Sequence, residues 1–163
     1  MDFIQQLGAL AFGSRLRRLS DRLMKDVARI YREYPVDFEP RWFPVLYLLK
    51  DGTPRGVTEI ARELGFTHPA VNQIAGAMER RRLLGHRRDP SDDRRRMLYL
   101  TNSGQTLVEK LSPVWEAIAA ATEQVIIASS CDILTALSDM ERALDDENLY
   151  SIVQKRLAKS KAV

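Results

Sequence analysis

Two groups of side chains between Thr67 and Thr101 have a chemistry suited to a polyanion with readable edges. The first is short, polar and uncharged: Thr67, His68, Asn72 and Gln73. They share one side of a helix if Val71, Ile74, Ala75 and Met78 form its buried stripe, at steps of 3, 1 and 3. Such groups give and accept hydrogen bonds at base edges, and Asn or Gln can meet adenine in bidentate fashion. The second group is arginine: Arg80, Arg81, Arg82, Arg87, Arg88, Arg94, Arg95 and Arg96, with no lysine among them and with Asp89, Asp92 and Asp93 in opposition. A charged hairpin tip is also an ordinary solvated feature. Beside a polar helix face, the arginines read as phosphate and minor-groove contacts.

The elements that must hold these groups are a pair of helices and a hairpin. Thr58 is the expected cap of a first helix carrying Ile60, Ala61 and Leu64, and Gly65 stops it with a positive φ. Thr67 caps the second helix, and Pro69 sits in its first turn, where a missing N–H does no harm. Ala61, Gly65 and Val71 suit a close crossing of the two helices. Leu83 and Leu84 then begin a strand. The run from Asp89 to Asp93 turns the chain, and Met97 to Leu100 returns it, closed by Thr101. Arg55 to Val57 can add a third strand. The arrangement is a winged helix-turn-helix.

The run Asp89-Pro90-x-Asp92-x-Arg94-x-x-x-Leu98-x-Leu100-Thr101-x-x-Gly104 resembles the wing signature of MarR-type transcriptional regulators. The helix pair before it is similar to that family's helix-turn-helix, and with the flanking helices the likeness covers nearly the whole chain. The resemblance implies that Arg94 enters the minor groove, that Asp92 holds its guanidinium, and that the helix from His68 to Arg81 lies in the major groove. The family usually has glycine where Arg82 stands. The helix is therefore expected to end without the usual positive-φ residue, in an altered cap. The segments Gly8-Ala9-Leu10, Arg41-Trp42-Phe43-Pro44 and His68-Pro69-Ala70-Val71 also resemble the regulator half of MarR-like proteins fused to an N-acetyltransferase. The acetyltransferase half is expected to be absent.

The 163 residues suit one domain, with a lobe over 55–101 and dimerisation and support helices over 5–50 and 101–160. The predicted class is mainly α with a small β-hairpin wing. Net charge is only +3, so the concentration of positive charge in one segment matters more than the total. One cysteine, Cys131, excludes an internal disulfide, and it reads as an inert, partly buried thiol. No signal peptide and no long apolar run are visible, so a cytoplasmic location away from membranes is expected.

From Gln5 to Tyr34, Leu16, Leu19, Leu23, Val27, Ile30 and Tyr34 recur at helical intervals, with a break expected near Gly8 and Gly13 and an end at Pro35. The next helix opens around Pro40 and Pro44. Its aromatics have two readings. Trp42, Phe43 and Tyr47 can be core or dimer support; alternatively, with Tyr31, Tyr34 and Phe38, they line a cleft. The family resemblance implies a small aromatic or phenolic effector there, and Arg41 could meet its acidic group. After the wing, a helix capped by Thr101 runs to about Ile127, bent at Pro113, and two more follow around Leu137 and Ile152. These terminal apolar faces exceed the needs of one lobe and predict a two-fold homodimer.

An enzyme reading fails for lack of a site. The two histidines, His68 and His86, lie inside the helix-hairpin motif, and no metal-ligand, nucleotide-loop or nucleophile motif is present. No cofactor and no metal are expected. His86 reads as a solvated strand histidine. The preferred function is a dimeric double-stranded DNA-binding transcriptional regulator, in particular a ligand-relieved repressor on an inverted repeat. The alternative is a winged-helix module that binds a protein partner and uses DNA weakly or not at all.

Overall fold

The structure is a computed structural model that describes residues 2–89 and 92–161, the side chains of 92–95 and 161 excepted. Helix α1 (Phe3–Gln6) and a 3-10 turn (Gly8–Ala11) precede α2 (Phe12–Glu33). The expected break comes at Gly8, with φ of +56°, while Gly13 stays inside α2. Only the C-terminal end of α2 is well covered by its own chain: Tyr31 is 5% exposed, but Leu16, Leu19 and Leu23 are 40, 49 and 38% exposed. A second 3-10 turn (Pro40–Trp42) leads into α3 (Phe43–Leu48), each with its proline in the first turn.

The lobe follows with β1 (Arg55–Gly56), α4 (Val57–Leu64), α5 (His68–Arg80), β2 (Leu84–Asp89) and β3 (Asp92–Leu100). The cap of helix α4 lies two residues before the expected place. Gly56 is its cap, and the Glu59 carboxylate accepts the Gly56 N–H at 3.3 Å, so the Thr58 hydroxyl is not used. Thr67 does cap α5, accepting the Ala70 N–H at 3.4 Å. The buried residues of α5 are Val71, Ile74, Ala75, Ala77 and Met78. Helix α5 packs against α4 and α3, where Ile60, Ala61, Val45 and Leu46 are buried as well, as is Leu49. Full burial of each large side chain contributes about 1.5–3 kcal/mol, so packing rather than polar ties fixes the crossing of α4 and α5.

The sheet is antiparallel in the order β1-β3-β2. Leu84 faces Leu100 and His86 faces Leu98, with an irregularity between Arg88 and Asp89. Arg55 anchors the edge strand. Its guanidinium donates to the Leu48 carbonyl at 2.8 Å and to Asp51 at 2.7 Å. The bond to Arg55 is the main reason the Asp51 carboxyl is held down at about 2.

Helices α4 and α5 end in the same way. After α4, Gly65 at φ +64° lets the Phe66 N–H reach the Ala61 carbonyl at 2.9 Å. After α5, Arg82 itself adopts φ +56°. Its N–H bonds Glu79 O at 2.8 Å, and the Leu83 N–H bonds Met78 O at 3.0 Å. The expectation of an altered cap is therefore corrected: the helix keeps the glycine-type ending, and arginine bears the strain of a left-handed backbone, about 1 kcal/mol.

Thr101 then opens α6 (Asn102–Ile127), accepting the Gly104 N–H at 3.1 Å. Helix α6 continues through Pro113. Helices α7 (Ile133–Asp146) and α8 (Leu149–Lys161) complete the chain. The chain divides into two compact units, Met1–Trp115 and Glu116–Val163. In the second unit Leu134, Leu144, Leu149, Tyr150 and Leu157 are exposed, and so is Cys131, against the expectation of a partly buried thiol. That thiol lies at the turn before α7, where its own unit offers little to cover it. No helix among the described residues is long and apolar enough to cross a membrane.

Because Arg82 occupies a conformation that glycine adopts freely, Arg82→Gly is expected to stabilise the protein by about 0.5 kcal/mol, net of the extra freedom gained by the unfolded chain. Urea unfolding monitored by circular dichroism checks this. A midpoint at or below that of the wild type would contradict the strain assigned to this residue.

Candidate nucleic-acid interface

Helix α5 presents one face to solvent. Thr67, His68, Pro69, Asn72, Gln73 and Arg80 are exposed, while Val71, Ile74, Ala75 and Met78 are buried on the opposite side. The polar set of the sequence reading is thus brought onto one accessible surface. Within it, the Asn72 side-chain nitrogen lies 3.1 Å from His68 Nδ1, one helical turn away. At the far end of the helix, Arg80 lies along Gly76, and the Arg81 guanidinium pairs with the Asp37 carboxylate.

The base of the hairpin is fastened to this helix by one carboxylate that sequence reading passed over. Glu79 Oε1 accepts from His86 Nδ1 of β2 at 2.9 Å, and Glu79 Oε2 pairs with Arg96 of β3. A carboxylate only accepts, so the His86 ring proton in this contact is on Nδ1. His86 is therefore not simply the solvated strand residue expected. Burial pushes the Glu79 carboxyl up, but the hydrogen bonds from Arg96 and His86 outweigh it and hold the group below its ordinary value of 4.5. The legible signal was a single acid among arginines near the end of a helix; its two partners became neighbours only through the hairpin register.

Arg87 and Arg88 are exposed on β2. Arg96 is half-exposed and tied to Glu79, which makes it a holder of the wing as much as a free cation. The backbone of Asp92, Arg94 and Arg95 belongs to β3, but their side chains, and hence the pairing expected of Asp92 with Arg94, lie outside the described residues.

The expected effector residues form an aromatic chain. Tyr31 and Phe38 have ring centroids 4.6 Å apart, and Phe38 meets Trp42 edge-on at 6.2 Å. Tyr47 and Phe43 both pack against Trp115 at 5.4 Å. The two groups are joined where the Trp115 indole N–H donates to the Tyr31 hydroxyl at 2.9 Å. Burial raises the Tyr31 phenol above its ordinary value of 10.0, partly offset by the Trp115 hydrogen bond. Trp42 is 1% exposed, and its indole N–H has no hydrogen-bond partner among the described residues. Tyr34 and Tyr47 are exposed, and Arg41 is paired with Glu39 at 2.7 Å. Trp115 was missed as a member of this group because 84 positions separate it from Tyr31.

Residues 36–96 match the model of the MarR family. The matching stretch carries both helices of the helix-turn-helix and the hairpin as far as Arg96. Among solved structures, the chain is 29% identical to CouR, a transcriptional repressor captured on a 23-mer DNA duplex, with a TM-score of 0.63 over 85% of this chain and 96% of that one. It is 25% identical to BpsR of Bordetella bronchiseptica, whose DNA binding is regulated by 6-hydroxynicotinic acid, with a TM-score of 0.64 over 83% and 93% of the two chains. It shares the fold of S. aureus MepR, solved in complex with DNA, at 21% identity and a TM-score of 0.63 over 83% and 97%. No curated protein matches the chain in sequence. The fold is that of these solved MarR-type structures, and the family match covers residues 36–96. No group of three or more His, Cys, Asp or Glu side chains among the described residues is placed to hold a metal ion.

The clamp predicts a pH signature. A carboxylate held below its ordinary value adds stability that is complete above about pH 4.5 and is lost as pH falls through the folded value. Glu79→Gln should cost about 1 kcal/mol at neutral pH and flatten the acid decline of stability, read as thermal midpoints between pH 3 and pH 7. An unchanged decline in the variant would mean that Glu79 does not tie the wing to α5.

Proposed function

We propose that this protein is a sequence-specific regulator of transcription that binds double-stranded DNA as a homodimer on an inverted repeat and is relieved of repression by a small ligand. The observation that carries the reading is the outer face of α5. Thr67, His68, Asn72 and Gln73 are exposed on a helix whose other face is locked into the core, and the arginine-bearing wing begins immediately after it. Uncharged polar groups suit base edges, which reward hydrogen-bond geometry; arginines suit phosphates and a narrow minor groove. The family resemblance gives Arg94 the minor-groove role and Asp92 the role of holding it.

The second copy is supported by apolar surface. Leu16, Leu19 and Leu23 of α2 stay exposed, as do Leu149, Tyr150 and Leu157 of α8. Apolar side chains left exposed on each of these helices mark association sites. A two-fold pair would present two α5 helices to half-sites about one helical turn, roughly 10 bp, apart. Light scattering is expected to give twice the mass of one chain; the mass of a single chain would remove the dimer from the mechanism.

The effector reading draws support from BpsR, a relative regulated by 6-hydroxynicotinic acid, and from the Trp42 indole N–H, a buried donor with no partner among the described residues. A hydroxylated aromatic acid offers the acceptor that this donor lacks and a ring to join the Tyr31, Phe38 and Trp42 series. Tyr34, Tyr47 and Arg41 are the exposed members of the proposed site. The ligand would act by population shift, favouring lobe positions that no longer fit successive grooves.

Fluorescence anisotropy with duplexes tiling the DNA upstream of the protein's own coding region tests the whole reading. One inverted repeat should bind tightly, and Arg94→Ala should weaken that binding by about 1–3 kcal/mol while leaving the thermal midpoint nearly unchanged. Addition of 6-hydroxynicotinate is expected to release the duplex if the effector class is right. Uniform weak binding that Arg94→Ala does not alter would instead favour a protein-binding module.

A further inference from the structure

The contact between His68 and Asn72 has a directional chemistry. The Asn72 amide nitrogen can only donate, so at 3.1 Å His68 Nδ1 must accept, which places the ring proton on Nε2. One Asn72 N–H is then committed to the imidazole. The other N–H and the Asn72 carbonyl oxygen remain side by side, on an exposed part of α5, as a donor-acceptor pair in a fixed order. Adenine presents the complement in the major groove, an N7 acceptor beside an N6–H donor, whereas guanine presents two acceptors, N7 and O6. If the amide turned over, its oxygen would face N7 and the match with adenine would be lost.

We infer that His68 is a positioning residue that sets the base read by Asn72, fixing the polarity of its amide so that the helix selects adenine on one strand. The inference rests on the DNA-reading function proposed above. His68 need not touch a base to do this. Its ring is carried on the first turn of α5, next to Pro69 and the Thr67 cap, where the backbone is held. An isolated asparagine has two amide orientations of similar energy in water; one acceptor a helical turn away removes the choice before DNA arrives. The arrangement is the opposite of that at His86, whose Nδ1 donates to Glu79. The two histidines of the lobe are therefore expected to carry different tautomers.

The test has a part without DNA and a part with it. In the free protein, long-range nitrogen-proton NMR should show His68 with its proton on Nε2, and Asn72→Ala should shift the Nδ1 resonance. A proton on Nδ1, or no response to Asn72→Ala, would overturn the inference while leaving DNA binding untouched. Next, a duplex selected by the wild-type protein from a randomised pool is varied one base pair at a time. Wild type should prefer adenine at one position in each half-site by about tenfold or more. His68→Ala should reduce that preference to under about threefold and add nothing to the loss caused by Asn72→Ala. Both residues are exposed, so the variants are expected to fold, which circular dichroism verifies. Wild-type preference retained by His68→Ala would overturn the inference alone. Absence of any sequence preference in the wild type would overturn both it and the function on which it rests.

Discussion

Four segments meet at the backbone of Arg82 and Leu83. The Thr101 N–H donates to the Leu83 carbonyl at 3.0 Å, and the Thr101 hydroxyl donates to the Arg82 carbonyl at 2.6 Å while accepting the Gly104 N–H. A Cβ on Gly104 would stand 2.2 Å from the Leu83 oxygen, so only glycine lets α6 start this close. The end of α5, both ends of the hairpin and the first turn of α6 are thus fixed through two carbonyls and one hydroxyl. The left-handed turn at Arg82 makes the meeting possible, because it swings the chain out of α5 in time for Leu83 and Leu84 to enter the core. Strain in one residue is small beside the burial that it permits.

Above that joint, polarity is sorted by depth. The core of the lobe holds no buried charged or polar residue among those described. Its ion pairs lie at the margin, where Arg55, Glu79 and Arg81 connect neighbouring elements. Marginal pairs add little to stability individually. Their effect here is on orientation: the helix face with Asn72 and Gln73 is set by packing, and the direction of the hairpin relative to it is set by Glu79.

What was legible in the sequence was what short-range physics determines. The α5 stripe, the Thr67 cap and the Gly65 stop all depend on residues a few positions apart, and each was found where expected. The α4 cap lies two residues earlier than Thr58, at Gly56, whose N–H is taken by the Glu59 carboxylate. Arg82 was misread through treating a positive φ as a property of glycine alone; tertiary packing can impose it on another residue. Glu79 and Trp115 were invisible for a different reason, since their partners lie on separate elements. No periodicity reveals an indole reaching a phenol 84 residues away. The side chains of Asp92 and Arg94, which the family resemblance makes prominent, lie outside the described residues.

The Glu79 clamp has a mechanical consequence. One carboxylate grips both wing strands from the end of α5, so helix and hairpin base behave as the two arms of a single calliper whose opening is set within the protein. On the proposed reading, a duplex whose two grooves are spaced differently cannot be accommodated by adjusting one arm. It must itself twist or bend to the gauge, and the elastic cost of that deformation falls on sequences that resist it, including base pairs that no side chain reaches.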